Sequence, residues 1–203
     1  MFSFTRLRGA DPNLGVEMAS TGEVACFGEN QHEAFMQALL STSFELPNKN
    51  KTIMLSIASD AKRFEFAESL LSLIALNKYK FYATPGTHKY YKDNYGIETT
   101  LVRTSTDESD DGEGTALCEI KASKIDLVIN ISDGTIRKDE ITSGYLIRRA
   151  SVDFGSSLIT NVKCAVELAQ CLALGFDKPE AFVPRHIGEY HSIPSAGWTV
   201  KGH

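Results

Sequence analysis

Apolar positions in this chain fall into short, nearly continuous runs separated by helical stripes. Thr52–Ala58 (TIMLSIA), Tyr79–Ala83, Thr99–Arg103, Asp126–Ile131 (DLVINI) and Ser157–Thr160 each have the length and composition of a buried strand. Between them the period changes to that of a helix. Residues 30–41 carry Ala34, Phe35, Ala38 and Leu39 on one stripe, and Lys62–Asn77 carries Ala67, Leu70, Leu71 and Ile74. Further helices are predicted from Thr87 to about Tyr95, over Gly114–Ser123, over Gly144–Phe154 and over Val162–Leu174. Apolar strands alternating with helices predict an α/β fold, a doubly wound five-stranded parallel sheet covered on both faces. The ligands of such sheets sit beyond the carboxyl ends of the strands.

Those carboxyl ends are polar. Ser59, Asp60 and Lys62 follow the first strand, Thr84 and Thr87 the second, and Arg103 and Thr104 the third. Asn130, Ser132 and Gly134 end the fourth, and Thr160 and Asn161 the fifth. The second of these ends, Thr84-Pro85-Gly86-Thr87, opens directly into a helix, so free backbone N–H groups and the positive end of the helix dipole are expected there. That is the outline of a phosphate or carboxylate site. Taken alone it is equally the outline of an N-cap at Thr87 and a Pro-Gly turn. The convergence of Lys62 with two threonines favours a site for a phosphorylated small molecule, with the lysine as point charge. Neither GxGxxG nor GxxxxGK[ST] occurs, so the usual dinucleotide and P-loop modes are not indicated.

Composition narrows this further. At 203 residues, with 42% apolar and 23% charged positions, the chain can bury one sizeable core with appendages. A net charge of −5 argues against a nucleic-acid surface, which would normally be basic. No apolar run approaches the ~20 residues that span a bilayer, so no membrane partner is expected, and no signal-peptide pattern opens the chain. Cys26, Cys118, Cys164 and Cys171 share no CxxC spacing, which predicts reduced, mostly buried thiols and no metal site. His186 and His191 lie five apart without a nearby cysteine, and the tail reads as an extended arm against a neighbour. Glu17 and Glu23 are either solvated turn residues or cation ligands. Asp107, Glu108, Asp110, Asp111 and Glu113 read as a solvated acidic loop. Arg148-Arg149 reads as a helix-surface pair or a partner-facing one.

Several of these segments resemble one family. FSFTRLRGADPNLGVEMASTGEVACFG in residues 1–46 resembles the end of the second synthetase half of carbamoyl-phosphate synthase large chains. Ala83–Thr87 (ATPGT), DLVIN at Asp126–Asn130, Gly144–Gly155 (GYLIRRASVDFG) and Leu158–Ala165 (LITNVKCA) resemble the methylglyoxal-synthase-like regulatory domain that follows it. The resemblance implies a Rossmann-like three-layer fold and three segments: 1–46 as the end of an ATP-grasp synthetase domain, 47–175 as the regulatory domain, and 176–203 as a tail. It implies no catalytic residue in this stretch, and a phosphorylated effector held by Lys62, Thr84, Thr87, Asn130 and Ser132. Ser59, Arg103, Thr104 and Gly134 are accessory.

The family further implies a parent enzyme that uses ATP with Mg or Mn, and partners in its remaining synthetase domains and a glutaminase part. It implies oligomerisation through the regulatory domain and a cytoplasmic or mitochondrial setting. Bacterial relatives carry a further lysine where this chain has Thr104. Relatives responding to N-acetylglutamate carry a tryptophan there and an asparagine at the position of Gly144. Methylglyoxal synthases carry a catalytic aspartate and a histidine where Glu113 and Asp139 stand here. An enzyme of that kind and a structural module with a vestigial site are the two alternatives.

Overall fold

The computed structural model describes residues 24–105, 112–133, 142–178 and 186–190. In chain order the elements are α1 (Gln31–Leu40), β1 (Thr52–Ile57), α2 (Asp60–Ala75), β2 (Lys80–Ala83), α3 (Pro85–Tyr95), β3 (Thr100–Leu101), α4 (Ala116–Lys121), β4 (Leu127–Ile131), α5 (Ser143–Asp153), β5 (Ser157–Ile159), α6 (Val162–Ala173) and α7 (Ile187–Tyr190). The five strands form one sheet in the order β3-β2-β1-β4-β5, and every pairing is parallel. The chain reverses its direction of travel across the sheet between β1 and β4, which makes the carboxyl ends of those two strands the switch point where a crevice opens.

The pleat sorts side chains onto two faces. Ile53, Leu55 and Ile57 of β1 and Leu127, Ile129 and Ile131 of β4 join one core cluster with Phe66 and Leu70 of α2, Tyr91 of α3, and Ala165 and Leu168 of α6. Met54 and Val128 face the opposite way, onto a second cluster with Ala116 and Ile120 of α4 and Leu146 and Ile147 of α5. The doubly wound architecture expected from the alternation of runs is therefore present. Because Asn130 shares the face of Val128, the end of β4 turns its polar side chain toward α5.

Details of the helix faces differ from expectation. Met36, 0% exposed, anchors α1 to the first core, whereas Ala38 is exposed. On α2 the buried set includes Phe66 and Leu73, and Leu71 is 43% exposed. Phe35 and Leu39 of α1 and Ala67, Leu70 and Ile74 of α2 face the core as expected, and Met36, Phe66 and Leu73 widen those faces. The segment before β1 packs against the domain: α1 lies on α6, and the Ser157 hydroxyl both accepts from Glu45 N–H at 2.8 Å and donates to Glu45 C=O at 2.7 Å. The four cysteines are free thiols, but only Cys171 is fully buried. Within the tail, Ile187–Tyr190 forms one helical turn with the Tyr190 ring 5.9 Å from Phe27, and residues 179–185 and 191–203 of the predicted arm lie outside the described residues. Gly134, Asp139, Glu17, Glu23, His191 and positions 107–111 of the acidic loop lie outside the described residues.

Candidate functional site

A cavity of about 400 Å³ opens at the switch point. Its lining comes from four strand ends and the first turns of the helices that follow them. Ser56, Ile57 and Ala58 come from the end of β1, Thr84, Pro85 and Gly86 from the end of β2, and Thr104 from beyond β3. Asn130, Ile131, Ser132 and Asp133 come from the end of β4, and Thr142, Ser143, Gly144 and Arg148 from the start of α5. Arg63, from the first turn of α2, completes it.

The three helices here begin in two ways. Ser59 caps α2 by accepting from Lys62 N–H at 3.4 Å, and Thr142 caps α5 by accepting from Tyr145 N–H at 3.2 Å. Thr84 precedes α3 but makes no capping bond with its side chain, and Pro85 takes the first helical position. Among the described residues α1, α2, α4, α5 and α6 all carry side-chain caps. The exception, α3, presents its start to the cavity through Pro85 and Gly86. Its first-turn N–H groups and dipole are thus directed at whatever occupies the cavity.

The predicted threonines divide. Thr84 lines the cavity. Thr87 is 0% exposed and lies inside α3, so it is neither a cap nor a lining residue. Its hydroxyl accepts from Ile57 N–H at 3.0 Å, accepts from the Thr84 hydroxyl at 3.2 Å and sits 3.3 Å from Ile57 C=O. It ties the turn to the end of β1 and sets the position of Thr84 from behind.

Three cations are held at the ends of β1 and β4. Lys62 Nζ donates to the Ser132 carbonyl, spanning from α2 to the end of β4. Arg63 donates from Nε to Ile57 C=O at 2.8 Å and from Nη2 to Ala58 C=O at 3.3 Å, and its guanidinium lies 5.7 Å from the Tyr90 ring centre. A Cβ added to Gly86 would meet Arg63 Nη2 at 3.1 Å, so glycine is what lets the turn approach this charge. Arg148 is 6% exposed and donates from Nη1 to Asn130 Oδ1 at 2.9 Å. Arg148 and Arg149 are both buried, so the surface-pair expectation is corrected. Arg149 is held by Asp153 one turn on, and Arg148 turns to the cavity.

That contact orients Asn130. With Oδ1 engaged by Arg148, the amide nitrogen points the other way, and Asn130 is 2% exposed. Its Nδ2 has no hydrogen-bond partner among the described residues. An unmet buried donor costs about 1–3 kcal/mol, so the arrangement favours an incoming acceptor. Asp133 is the one carboxylate among the lining residues. Ser59 acts as a cap rather than a lining residue, Arg103 is exposed and donates from Nη2 to Glu113 C=O at 2.7 Å, and Glu113 is exposed outside the cavity. Of the predicted set the structure brings Thr84, Asn130, Ser132 and Thr104 to the cavity wall, with Lys62 bound to its rim. Arg63, Arg148, Thr142 and Ser143 were missed. The available signal was their place in the first turn, or one turn on, of helices that start at strand carboxyl ends.

Residues 64–160, which run from within α2 to β5 and include strands β2 to β5 and most of the cavity lining, match the family model described as MGS-like domain. Multifunctional protein pyr1-3 of Dictyostelium discoideum is 45% identical over 167 residues, covering 81% of this chain and 7% of that protein. The mitochondrial carbamoyl-phosphate synthase [ammonia] of Aquarana catesbeiana is 37% identical over 177 residues, covering 87% of this chain and 11% of that protein. The chain therefore spans about a tenth of the length of these relatives. The crystal structure of methylglyoxal synthase from Elizabethkingia anophelis is 21% identical, covers 68% of this chain and 89% of its own, and superposes with a TM-score of 0.45. Through residues 64–160 the chain belongs to the MGS-like domain family, and its relatives there are multifunctional proteins and carbamoyl-phosphate synthases.

Proposed function

We propose that this chain is the effector-binding regulatory part of a carbamoyl-phosphate synthase. In this reading residues 47–175 are the regulatory domain and the cavity binds a phosphorylated ligand, a nucleotide in the first instance. ATP and Mg or Mn serve the remaining synthetase domains, which with a glutaminase part are this segment's partners in making carbamoyl phosphate for pyrimidine or arginine synthesis. The observation that carries the reading is the Asn130 amide nitrogen, buried and unpartnered among the described residues, beside the Arg148 guanidinium and the uncapped start of α3. All three are donors, so the complementary ligand is rich in acceptors and negatively charged.

Lys62 tests the charge. Its Nζ bridges to the β4 end across the rim, and a charge-assisted contact to a phosphate is worth roughly 1.5–3 kcal/mol. Lys62→Ala is expected to weaken uridine monophosphate binding about ten- to a hundredfold by calorimetric titration. Undiminished affinity would remove Lys62 from the site.

The reading also makes the segment non-catalytic. Proton abstraction needs a base within reach of the substrate; Glu113 is exposed and outside the cavity lining, and the lining carboxylate, Asp133, has no histidine beside it among the lining residues. Incubation with dihydroxyacetone phosphate is expected to yield no methylglyoxal above the uncatalysed background. Turnover abolished by Glu113→Ala would establish the enzyme alternative instead.

A further inference from the structure

On the far side of the first core, three unlike side chains meet between α1 and α6. His32 stands in the first turn of α1, and Glu167 and Cys171 stand one turn apart on α6. His32 Nδ1 lies 2.6 Å from Glu167 Oε1. The Cys171 thiol faces the His32 carbonyl at 3.4 Å, and Gln31 Nε2 reaches the other Glu167 oxygen at 3.4 Å. The imidazole nitrogen, a carboxylate oxygen and the sulfur all lie within 4.8 Å of one another. His32 is 135 positions from Glu167 and 139 from Cys171, so no local spacing discloses the group. The absence of CxxC spacing therefore does not exclude it.

We propose that His32, Glu167 and Cys171 bind a thiophilic divalent cation of the zinc class, with a fourth position open to solvent. Imidazole, carboxylate and thiolate are the three ligand types zinc takes, and three protein ligands plus water is one of its standard sets. A sulfur and a nitrogen among the donors disfavour magnesium and calcium, which prefer oxygen. Tetrahedral coordination with ordinary zinc bond lengths places ligand atoms about 3.3–3.7 Å apart. The 2.6 Å contact and the 4.8 Å limit bracket that range, so the ion fits by opening the His32–Glu167 pair and drawing the sulfur inward.

Access is available from one side. Cys171 is 0% exposed, but the His32 and Glu167 side chains keep 25% and 20% of their surface. On binding, the Cys171 S–H proton passes to solvent and the imidazole carries its remaining proton on Nε2. The ion then clamps the helix that precedes β1 to the last helix of the same layer. Without a metal, the same residues are only a hydrogen-bonded His32–Glu167 pair beside a buried thiol, and the two cases differ spectroscopically.

The test is to titrate the metal-free chain with cobalt(II) and follow its absorption. A thiolate-to-cobalt charge-transfer band in the near ultraviolet is expected, with four-coordinate bands in the visible, saturating at one ion per chain and bleached by zinc. Cys171→Ala and His32→Ala should lose the charge-transfer band and the four-coordinate bands respectively, and Cys164→Ala should keep both. His32 is partly exposed, so its variant reports on the site even if Cys171→Ala fails to fold. No thiolate band with cobalt in excess, or a band that survives Cys171→Ala, overturns the site.

Discussion

Arg148→Ala is expected to weaken the binding of a phosphorylated ligand by about 30- to 3,000-fold, since removing a buried, hydrogen-bonded charged partner costs about 2–5 kcal/mol. Two effects add in this variant. The guanidinium, 6% exposed at the cavity wall, is lost as a donor. The Asn130 side chain also loses the 2.9 Å bond that holds its amide in place. Arg148→Lys separates them, because a lysine keeps the charge but not the planar fork that can serve Asn130 and a phosphate together. Its affinity should fall between that of Arg148→Ala and the native chain. Calorimetric titration with uridine monophosphate, alongside urea unfolding of each variant, measures both quantities. An Arg148→Ala chain that folds and binds as tightly as the native one would make Arg148 a core residue only.

The largest expected loss of stability is at Phe66. Its ring is 0% exposed on α2 and packs in the cluster with Ile53, Leu70 and Tyr91. Truncation to alanine removes its transfer free energy and leaves a cavity in a close-packed layer, which costs about 3–5 kcal/mol. Tyr91 shares this cluster and donates from its hydroxyl to Arg63 C=O at 2.9 Å. Burial pushes its pKa well above the usual tyrosine range. The packing that Phe66 supports thus continues to the residue carrying a site cation. Urea denaturation of Phe66→Ala gives the number, and a loss below about 1 kcal/mol would mean that the layer collapses onto the gap.

The strands were legible because a two-sided parallel sheet needs continuous apolar runs, and TIMLSI and LVINI supply them. The rim was legible because polar residues at strand ends have few other places to go. The two arginines were not. An arginine on an amphipathic helix normally reads as surface, and what internalises Arg148 is Asn130, 18 positions earlier on another element. Arg63 is likewise drawn in by the β1 carbonyls of Ile57 and Ala58, an arrangement that only the turn between β1 and α2 creates. Thr87 misled in the other direction: its place in ATPGT resembles a ligand contact, but tertiary packing carries its hydroxyl inward to Ile57. The His32–Glu167–Cys171 group exists only once α1 lies on α6.

The choice of ligand follows from the same geometry. A Cβ at Gly144 would lie 3.4 Å from Arg148 Nη1, 3.8 Å from Asn130 Oδ1 and 3.9 Å from Asn130 Nδ2. Any side chain at this position would stand in van der Waals contact with the Arg148–Asn130 pair. Thr104, exposed on the cavity wall, offers no apolar plate for an acyl chain. A buried aromatic contact absent from the site typically forgoes ~2 kcal/mol, well over tenfold in affinity. The most direct measurement is therefore a paired calorimetric titration of the native chain with uridine monophosphate and with N-acetylglutamate. Saturable binding of the nucleotide at a single site, with no comparable heat from N-acetylglutamate, is the expected result. Micromolar binding of N-acetylglutamate with no detectable nucleotide binding would contradict it.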